Sequence, residues 1–151
     1  MGKLNIRKAT KKDLSRIAEI YVFNNRMNYW PIFKDDEFSF GELQVVTMVD
    51  NYFGKDEILK SILVYDDGLI KGFIQINGTE ICKIYVDTFF QGKGVGKELI
   101  EYVIYKYHSN NLWALEKNER AISFYKKHGF KLTGEKKFEE DTIEYLVKLT
   151  R

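Results

Sequence analysis

The chain has one cysteine, one proline and two histidines in 151 residues. Cys82 alone cannot form a disulfide within the chain, which fits a reducing cytoplasm. Cys82, His108 and His128 are too scattered to give the spacing of a metal site, so no metal is expected. The net charge is only +2, which gives no reason to expect nucleic acid or a membrane surface as a partner. No apolar run approaches the ~20 residues of a membrane-spanning helix. The first residues form a polar, strand-like stretch and not the apolar core of a signal peptide. The expectation is a soluble cytoplasmic protein with a single domain over residues 1–151.

What is abundant is aromatic. Ten Tyr and eleven Phe lift the aromatic content to 15%, which favours sheet and well-filled pockets over disorder. Hydrophobic residues at 44% and charged residues at 30% are ordinary for a globular protein. No repeat, low-complexity segment or linker interrupts the chain.

Leu4 and Ile6 alternate with polar residues and predict a short strand. Thr10 with Asp13 has the spacing of a capping box. Leu14, Ile17, Ala18, Tyr21 and Val22 continue it at helical spacing. Residues 24–37 break the pattern and read as a connection around Pro31. Ser39 with Glu42 suggests a second capping box, continued by Leu43, Val46, Val49 and Phe53 and closed by Gly54.

A three-strand meander is expected next, over Ser61–Tyr65, Leu69–Ile76 and Thr79–Asp87. Asp67-Gly68 and Asn77-Gly78 are its turns; the second is a strong hairpin signal because a type I′ turn needs two residues that tolerate positive φ. A glycine-rich loop leads into a helix with Val95, Leu99, Ile100, Val103, Ile104 and Tyr107 on its apolar side. Leu112–Leu115 reads as a strand that a helical crossover makes parallel to the strand before it. Asn118 caps another helix, Gly129 stops it, and Phe130–Phe138 with Thr142–Leu149 form a last hairpin. The fold class is α/β (α+β). A mixed, mostly antiparallel central sheet of about seven strands is flanked by four helices.

The loop is Gln91-Gly92-Lys93-Gly94-Val95-Gly96-Lys97. Alternating glycines between a strand and a helix let the backbone approach a ligand closely. The helix start adds free N–H groups and the positive end of its dipole, which favours an anion. The nucleotide-binding loop that ends in Gly-Lys-Ser/Thr is excluded, because Gln91 stands at its first glycine and Glu98 at its hydroxyl. The dinucleotide fingerprint fails at Lys97 and would belong in the first strand of a parallel sheet. The pattern Gln/Arg-x-x-Gly-x-Gly/Ala is satisfied in full by Gln91, Gly94 and Gly96.

The stretch Ile84-Tyr85-Val86-Asp87 through Gly96 resembles the acetyl-CoA motif of the GNAT superfamily of N-acetyltransferases. The segment Asn118 to Tyr125, followed by His128-Gly129-Phe130, is similar to that family's C-terminal motif. The order of strands and helices agrees over nearly the whole chain.

The resemblance implies a sheet that splays at its two central parallel strands, with acetyl-CoA wedged between them. Backbone groups of Ile84, Tyr85 and Val86 would then meet the pantetheine arm, their side chains being ordinary sheet burial. The amides of Gly92, Lys93, Gly94, Val95, Gly96 and Lys97 would hold the diphosphate. Asn118 would face the pantetheine as well as capping its helix, Ala121 would leave room for the cofactor, and Phe124 belongs to the core. Tyr125 matches the position of a tyrosine that protonates the leaving thiolate, and a phenol with pKa near 10 is already protonated at neutral pH. A backbone N–H of Val86 or a neighbour would stabilise the tetrahedral oxyanion.

The general base stays open between Glu80, Glu116 and ordered water. Cys82 is assigned to the core. His108 and His128 read as helix C-terminal residues that complement the dipole. The family's acceptor-shaping segments match the connection that carries Asn24, Asn25, Arg26, Tyr29, Trp30 and Phe33, and the final hairpin turn with Glu139, Glu140 and Asp141. Tyr29 and Trp30 are the substrate-binding candidates. The expected function is transfer of acetyl from acetyl-CoA to a primary amine, of a small molecule or of a peptide, by direct attack. A non-catalytic acyl-CoA sensor and a scaffold domain that has lost the cofactor are the alternatives. The sequence does not decide whether a homodimer forms through the helix at residues 11–23 or the last hairpin.

Overall fold

Residues 4–151 are described by a computed structural model. Seven strands form one sheet in the order β1-β2-β3-β4-β5-β7-β6. They are β1 Ile6–Lys8, β2 Ile62–Asp66, β3 Ile70–Asn77, β4 Glu80–Val86, β5 Asn111–Leu115, β6 Lys131–Phe138 and β7 Tyr145–Thr150. Every neighbouring pair is antiparallel except β4 and β5.

Period-2 alternation explains why both faces of the sheet are covered. On one face Ile62, Val64 and Phe73 pack with Ile17, Ala18 and Ile20 of α1 (Leu14–Asn28) and with Phe53. On the other, Leu63, Tyr65 and Ile74 pack with Val95, Leu99, Ile100 and Val103 of α5 (Val95–Tyr107). Those four α5 residues lie on one side of a 3.6-residue repeat and are all buried.

The predicted capping box at Thr10 and Asp13 is present, and Asp13 also holds Arg7 of β1. Beyond that the first helical region differs from expectation. The residues read as a connection are largely helical: α1 runs on to Asn28, and α2 spans Trp30–Phe33 with Pro31 in its first turn, where a missing N–H costs nothing. Ser39 is not a cap. The Asp35 carboxylate accepts the Phe38 N–H at 3.0 Å, and buried Ser39 lies inside the wide, π-type turns of Glu37–Glu42 that follow. The chain leaves the helix at Leu43 and restarts as α3 (Val45–Met48), which widens again over Val49–Phe53. A further short helix, α4 (Asp56–Leu59), precedes β2. With α6 (Glu119–Lys127), six α-helices flank the sheet among the described residues, not four.

Two smaller corrections concern β4. Asn77 pairs with Glu80, so the hairpin turn is Gly78-Thr79, one residue later than predicted. Ile76 pairs with Ile81 while Gln75 pairs with Lys83, which leaves Cys82 as an extra, bulged residue. The bulge takes Cys82 out of the pleat, so it is exposed and not in the core.

β4 and β5 pair only through Glu80 with Asn111 and Ile81 with Leu112. Both strands continue beyond those pairs, to Val86 and Leu115, without ladder partners to each other. The sheet is therefore splayed on its C-terminal side between its two parallel strands, which opens the space described next.

Candidate active site

The splay opens into a cavity of about 620 Å³. Its walls come from the end of α1, the end of β4, the glycine loop, the start of α5 and one face of α6. Of the residues expected to meet a cofactor, Ile84, Tyr85, Val86, Gln91, Gly92, Gly94, Val95, Gly96, Lys97, Asn118, Ala121 and Tyr125 all line it, and Tyr29 closes the α1 side.

The loop has a geometry that suits an anion. Gly94 has φ +88°, a left-handed conformation that a Cβ disfavours, and it places the first turn of α5 directly after the loop. α5 runs for 13 residues, so its N-terminus carries a full helix dipole. Lys97, Arg120 and Lys127 add cationic side chains around the same cavity. Asp87 anchors the turn before the loop. It accepts the Phe89 N–H at 2.9 Å and pairs with Arg16 of α1 at 2.8 Å.

Gln91 braces the loop from inside. Its amide donates to the Val86 carbonyl at 3.2 Å and to Asn24 Oδ1 at 3.3 Å. Asn24, buried on α1, donates from Nδ2 to the same Val86 carbonyl and to Ile20 O, each at 2.9 Å. Loop, strand end and helix thus share one amide network.

Three phenols, from Tyr29, Tyr85 and Tyr125, also line the cavity. The Tyr29 and Tyr85 oxygens are 3.2 Å apart. Burial holds the Tyr125 phenol above its ordinary value, with Tyr29 adding to the effect. Burial does the same to Tyr85, more strongly, and to Tyr29, which the Glu139 carboxylate raises further while its bond to Tyr85 opposes the shift. All three are neutral proton carriers at physiological pH. Asn118 Oδ1 accepts the Ala121 N–H at 3.2 Å, the cap of α6, while the residue also faces the cavity.

Several candidates are elsewhere. Glu80 starts β4 at its paired end and does not line the cavity, because five residues of extended strand, roughly 16 Å, separate it from Tyr85. Glu116 is engaged by Lys136 at 2.6 Å, also outside the cavity. Trp30 turns away from it: the indole N–H donates to Asp36 at 2.7 Å and the ring leans on Phe40. Lys93 does not line the cavity; its ammonium lies over the Phe90 ring, 5.9 Å from the centroid. Burial lowers the His128 pKa, so this residue is a weaker complement to the helix dipole than its position suggests.

The residues missed by sequence reasoning are instructive. Arg120, Ser123 and Lys127 recur at i, i+3 and i+7 on α6, a spacing that puts them on one face and could have flagged them. Phe124 lines the cavity and does not only fill the core. Tyr85 contributes its hydroxyl as well as its backbone. Phe90 and Asn28 carry no local signal and are placed by the fold.

The model of the acetyltransferase (GNAT) domain matches residues 59–132, which span the meander, the glycine loop and α6. This segment is a GNAT acetyltransferase domain. The chain is 33% identical over 73 positions to the peptidyl-lysine N-acetyltransferase YjaB of Salmonella typhimurium, covering 48% of this chain and 50% of that protein. The chain thus matches about half the length of that curated relative. In structure it superposes on apo YjaB from Escherichia coli with TM-score 0.75 at 22% identity, over 96% of this chain and 95% of that one. It also superposes on the PaiA N-acetyltransferase of Thermoplasma acidophilum in complex with coenzyme A, with TM-score 0.67 at 21% identity, over 99% of this chain and 100% of that one. At these identities the structural likeness establishes the fold.

Proposed function

We propose that the protein transfers acetyl from acetyl-CoA to a primary amine, and that the amine is a lysine side chain of a peptide or protein. The observation that carries the reading is the cavity itself. One end is a cradle of loop amides with cationic side chains, suited to a diphosphate, and the other is a cluster of neutral phenols. A slender thioester-bearing arm fits between, along the unpaired edge of β4. The coenzyme A in the Thermoplasma structure and the peptidyl-lysine activity of YjaB support donor and acceptor in turn.

The diphosphate lies on the amides from Gly92 to Lys97, with Lys97, Arg120 and Lys127 balancing its charge. The pantetheine arm runs along Ile84, Tyr85 and Val86 and past Asn118 and Ala121. A backbone N–H near Val86 stabilises the oxyanion as the amine adds to the thioester carbonyl. Collapse breaks the C–S bond, and Tyr125 gives its proton to the departing sulfur. Glu139, Glu140 and Asp141 at the β6–β7 turn attract a cationic lysine to the acceptor side.

The test is a panel of lysyl peptides and free amines with acetyl-CoA, read by release of free thiol, beside a thermal melt with acetyl-CoA alone. Stabilisation by the donor and turnover on lysyl peptides are expected. Stabilisation without turnover on any amine would instead mark an acyl-CoA sensor, and no stabilisation at millimolar donor would remove the cofactor.

A further inference from the structure

Among the described residues, no aspartate, glutamate or histidine lines the cavity. An alkyl ammonium has a pKa near ~10.4 and must lose a proton before it can attack a thioester. The transfer reading above therefore needs a route for that proton, and the cavity wall supplies only hydroxyls and amides on its acceptor side.

Tyr85 and Tyr29 are the two hydroxyls placed for it. They come from β4 and from the end of α1, 56 positions apart in sequence, and their oxygens meet at 3.2 Å. Among the described residues each has the other as its only hydrogen-bond partner. Two hydroxyls joined by one bond still hold a free O–H and free lone pairs. The Tyr85 ring packs edge-on against Tyr21 at 5.3 Å and tilted against Phe73 at 5.7 Å. A phenylalanine would fill that space equally well, and burying a hydroxyl for packing alone is unfavourable. The surrounding charged and titratable groups are few. Tyr21 and, beyond it, Lys83 and Tyr52 lie on the α1 side, Tyr125 approaches from α6, and Glu139 of the β6–β7 turn acts on Tyr29 through its charge, without a hydrogen bond to it.

We propose that Tyr85 and Tyr29 form a proton path from the acceptor amine to solvent. The ammonium gives one proton to Tyr85 Oη as the Tyr85 proton passes to Tyr29 Oη and the Tyr29 proton passes to a solvent water, a transfer that the negative charge of Glu139 favours. The amine is left with its lone pair free, both phenols end neutral, and the water carries the proton away. No phenolate forms at any stage, so burial of the two phenols helps the path and does not block it.

The experiment measures kcat/KM on a lysyl peptide from pH 6.5 to 9.5 for Tyr85→Phe, Tyr29→Phe and Glu139→Gln, with melts in the presence and absence of acetyl-CoA. Each Tyr→Phe variant should lose about tenfold or more at pH 7. The deficit should shrink towards pH 9.5, where more of the peptide amine is already deprotonated in solution. Glu139→Gln should show the same trend, with a loss of about threefold. The acetyl-CoA stabilisation should match that of the wild type, which separates a lost proton path from a damaged donor site. Tyr29→Phe removes the other hydroxyl of the pair, at the end of α1, so it reads the path even where Tyr85→Phe folds poorly. A deficit that is equal at every pH, or no deficit, overturns the path while leaving the transfer reading intact. A wild-type protein that binds acetyl-CoA and turns over no amine overturns both.

Discussion

Asn24 on α1 donates a hydrogen bond to the Val86 carbonyl at 2.9 Å, linking residues 62 positions apart at the point where the sheet opens. The Gln91 amide reaches the same oxygen at 3.2 Å and Asn24 Oδ1 at 3.3 Å. The glycine loop is thus fixed to the helix that carries Tyr29 as well as to its own strand. Replacing Asn24 with leucine keeps the bulk and removes the bonds. A buried carbonyl loses one partner and a buried side-chain amide is gone, a cost of about 1–3 kcal/mol. We expect a lower melting temperature and a KM for acetyl-CoA raised several-fold, with kcat changed less. An unchanged KM would show that the network holds the fold and not the donor site.

Tyr125 should matter to turnover and little to donor binding. Its Tyr125→Phe variant is expected to lose about 100-fold in kcat while acetyl-CoA affinity stays within about threefold. The group acts in its protonated form, and burial raises its pKa above the ordinary phenol value of 10.0. The wild-type rate should therefore show no fall owing to Tyr125 up to pH 10. A basic limb centred near pH 9 that disappears in Tyr125→Phe would contradict the burial seen here.

These two residues also show what the sequence could and could not reveal. Gln91, Gly94 and Asn118 were legible because each belongs to a short segment whose spacing has a local physical use, a loop or a cap, whereas Tyr125 was reached only through the family resemblance. The central strands were legible because β2 and β3 carry short apolar runs, buried in the sheet and bounded by glycine-containing turns. The region 24–43 was misread for the opposite reason. Its helical turns are held by distant or irregular contacts: Arg26 donates to the carbonyls of Ser39 and Leu43, and Asp35 caps where Ser39 had the better motif. Cys82 was misplaced because a one-residue bulge shifts every later side chain to the other face, and nothing local announces it. The Tyr29–Tyr85 pair depends on two elements meeting, which no window of sequence contains.

Gly72 is a second constraint with no motif to mark it. A Cβ there would sit 2.9 Å from the Tyr85 carbonyl oxygen, 3.0 Å from Val95 Cγ1 and 3.2 Å from Leu99 Cδ1. β3 is glycine at this point so that α5 can lie close against the strand that forms the cavity edge. Gly72→Ala should destabilise the protein by about 1–3 kcal/mol through overpacking, read as a shift in the denaturation midpoint. Gly94→Ala, by contrast, meets open space but must hold φ +88°, and should cost about 1–2 kcal/mol together with weaker acetyl-CoA binding. If Gly72→Ala is neutral, α5 has room to retreat.

Asp13 should make the N-terminal corner sensitive to acid. Its carboxylate accepts the Thr10 N–H at 2.8 Å and the Arg7 guanidinium at 2.8 and 3.0 Å, and only 7% of the side chain is exposed. Arg7 in turn reaches Asp66 of β2 at 2.9 Å, so one carboxylate joins the start of α1 to two strands. The Arg7 bonds hold the Asp13 pKa below 3.8, against the opposing effect of burial, with the Thr10 backbone bond assisting. A depressed folded pKa means that the stabilisation is fully present above the unfolded value of 3.8 and is lost as pH falls through the lower, folded value. Asp13→Ala should cost about 1–2 kcal/mol at pH 7, the usual loss for a helix cap. Asp13→Asn keeps the cap but not the charge, so it should cost less. Its deficit relative to wild type should close as the pH drops below 3.8, when the wild-type carboxylate is itself protonated. Denaturant titrations of the two proteins at pH 7, 5 and 3 measure this directly, and a deficit that persists unchanged at pH 3 would show that the charge on Asp13 contributes nothing to stability.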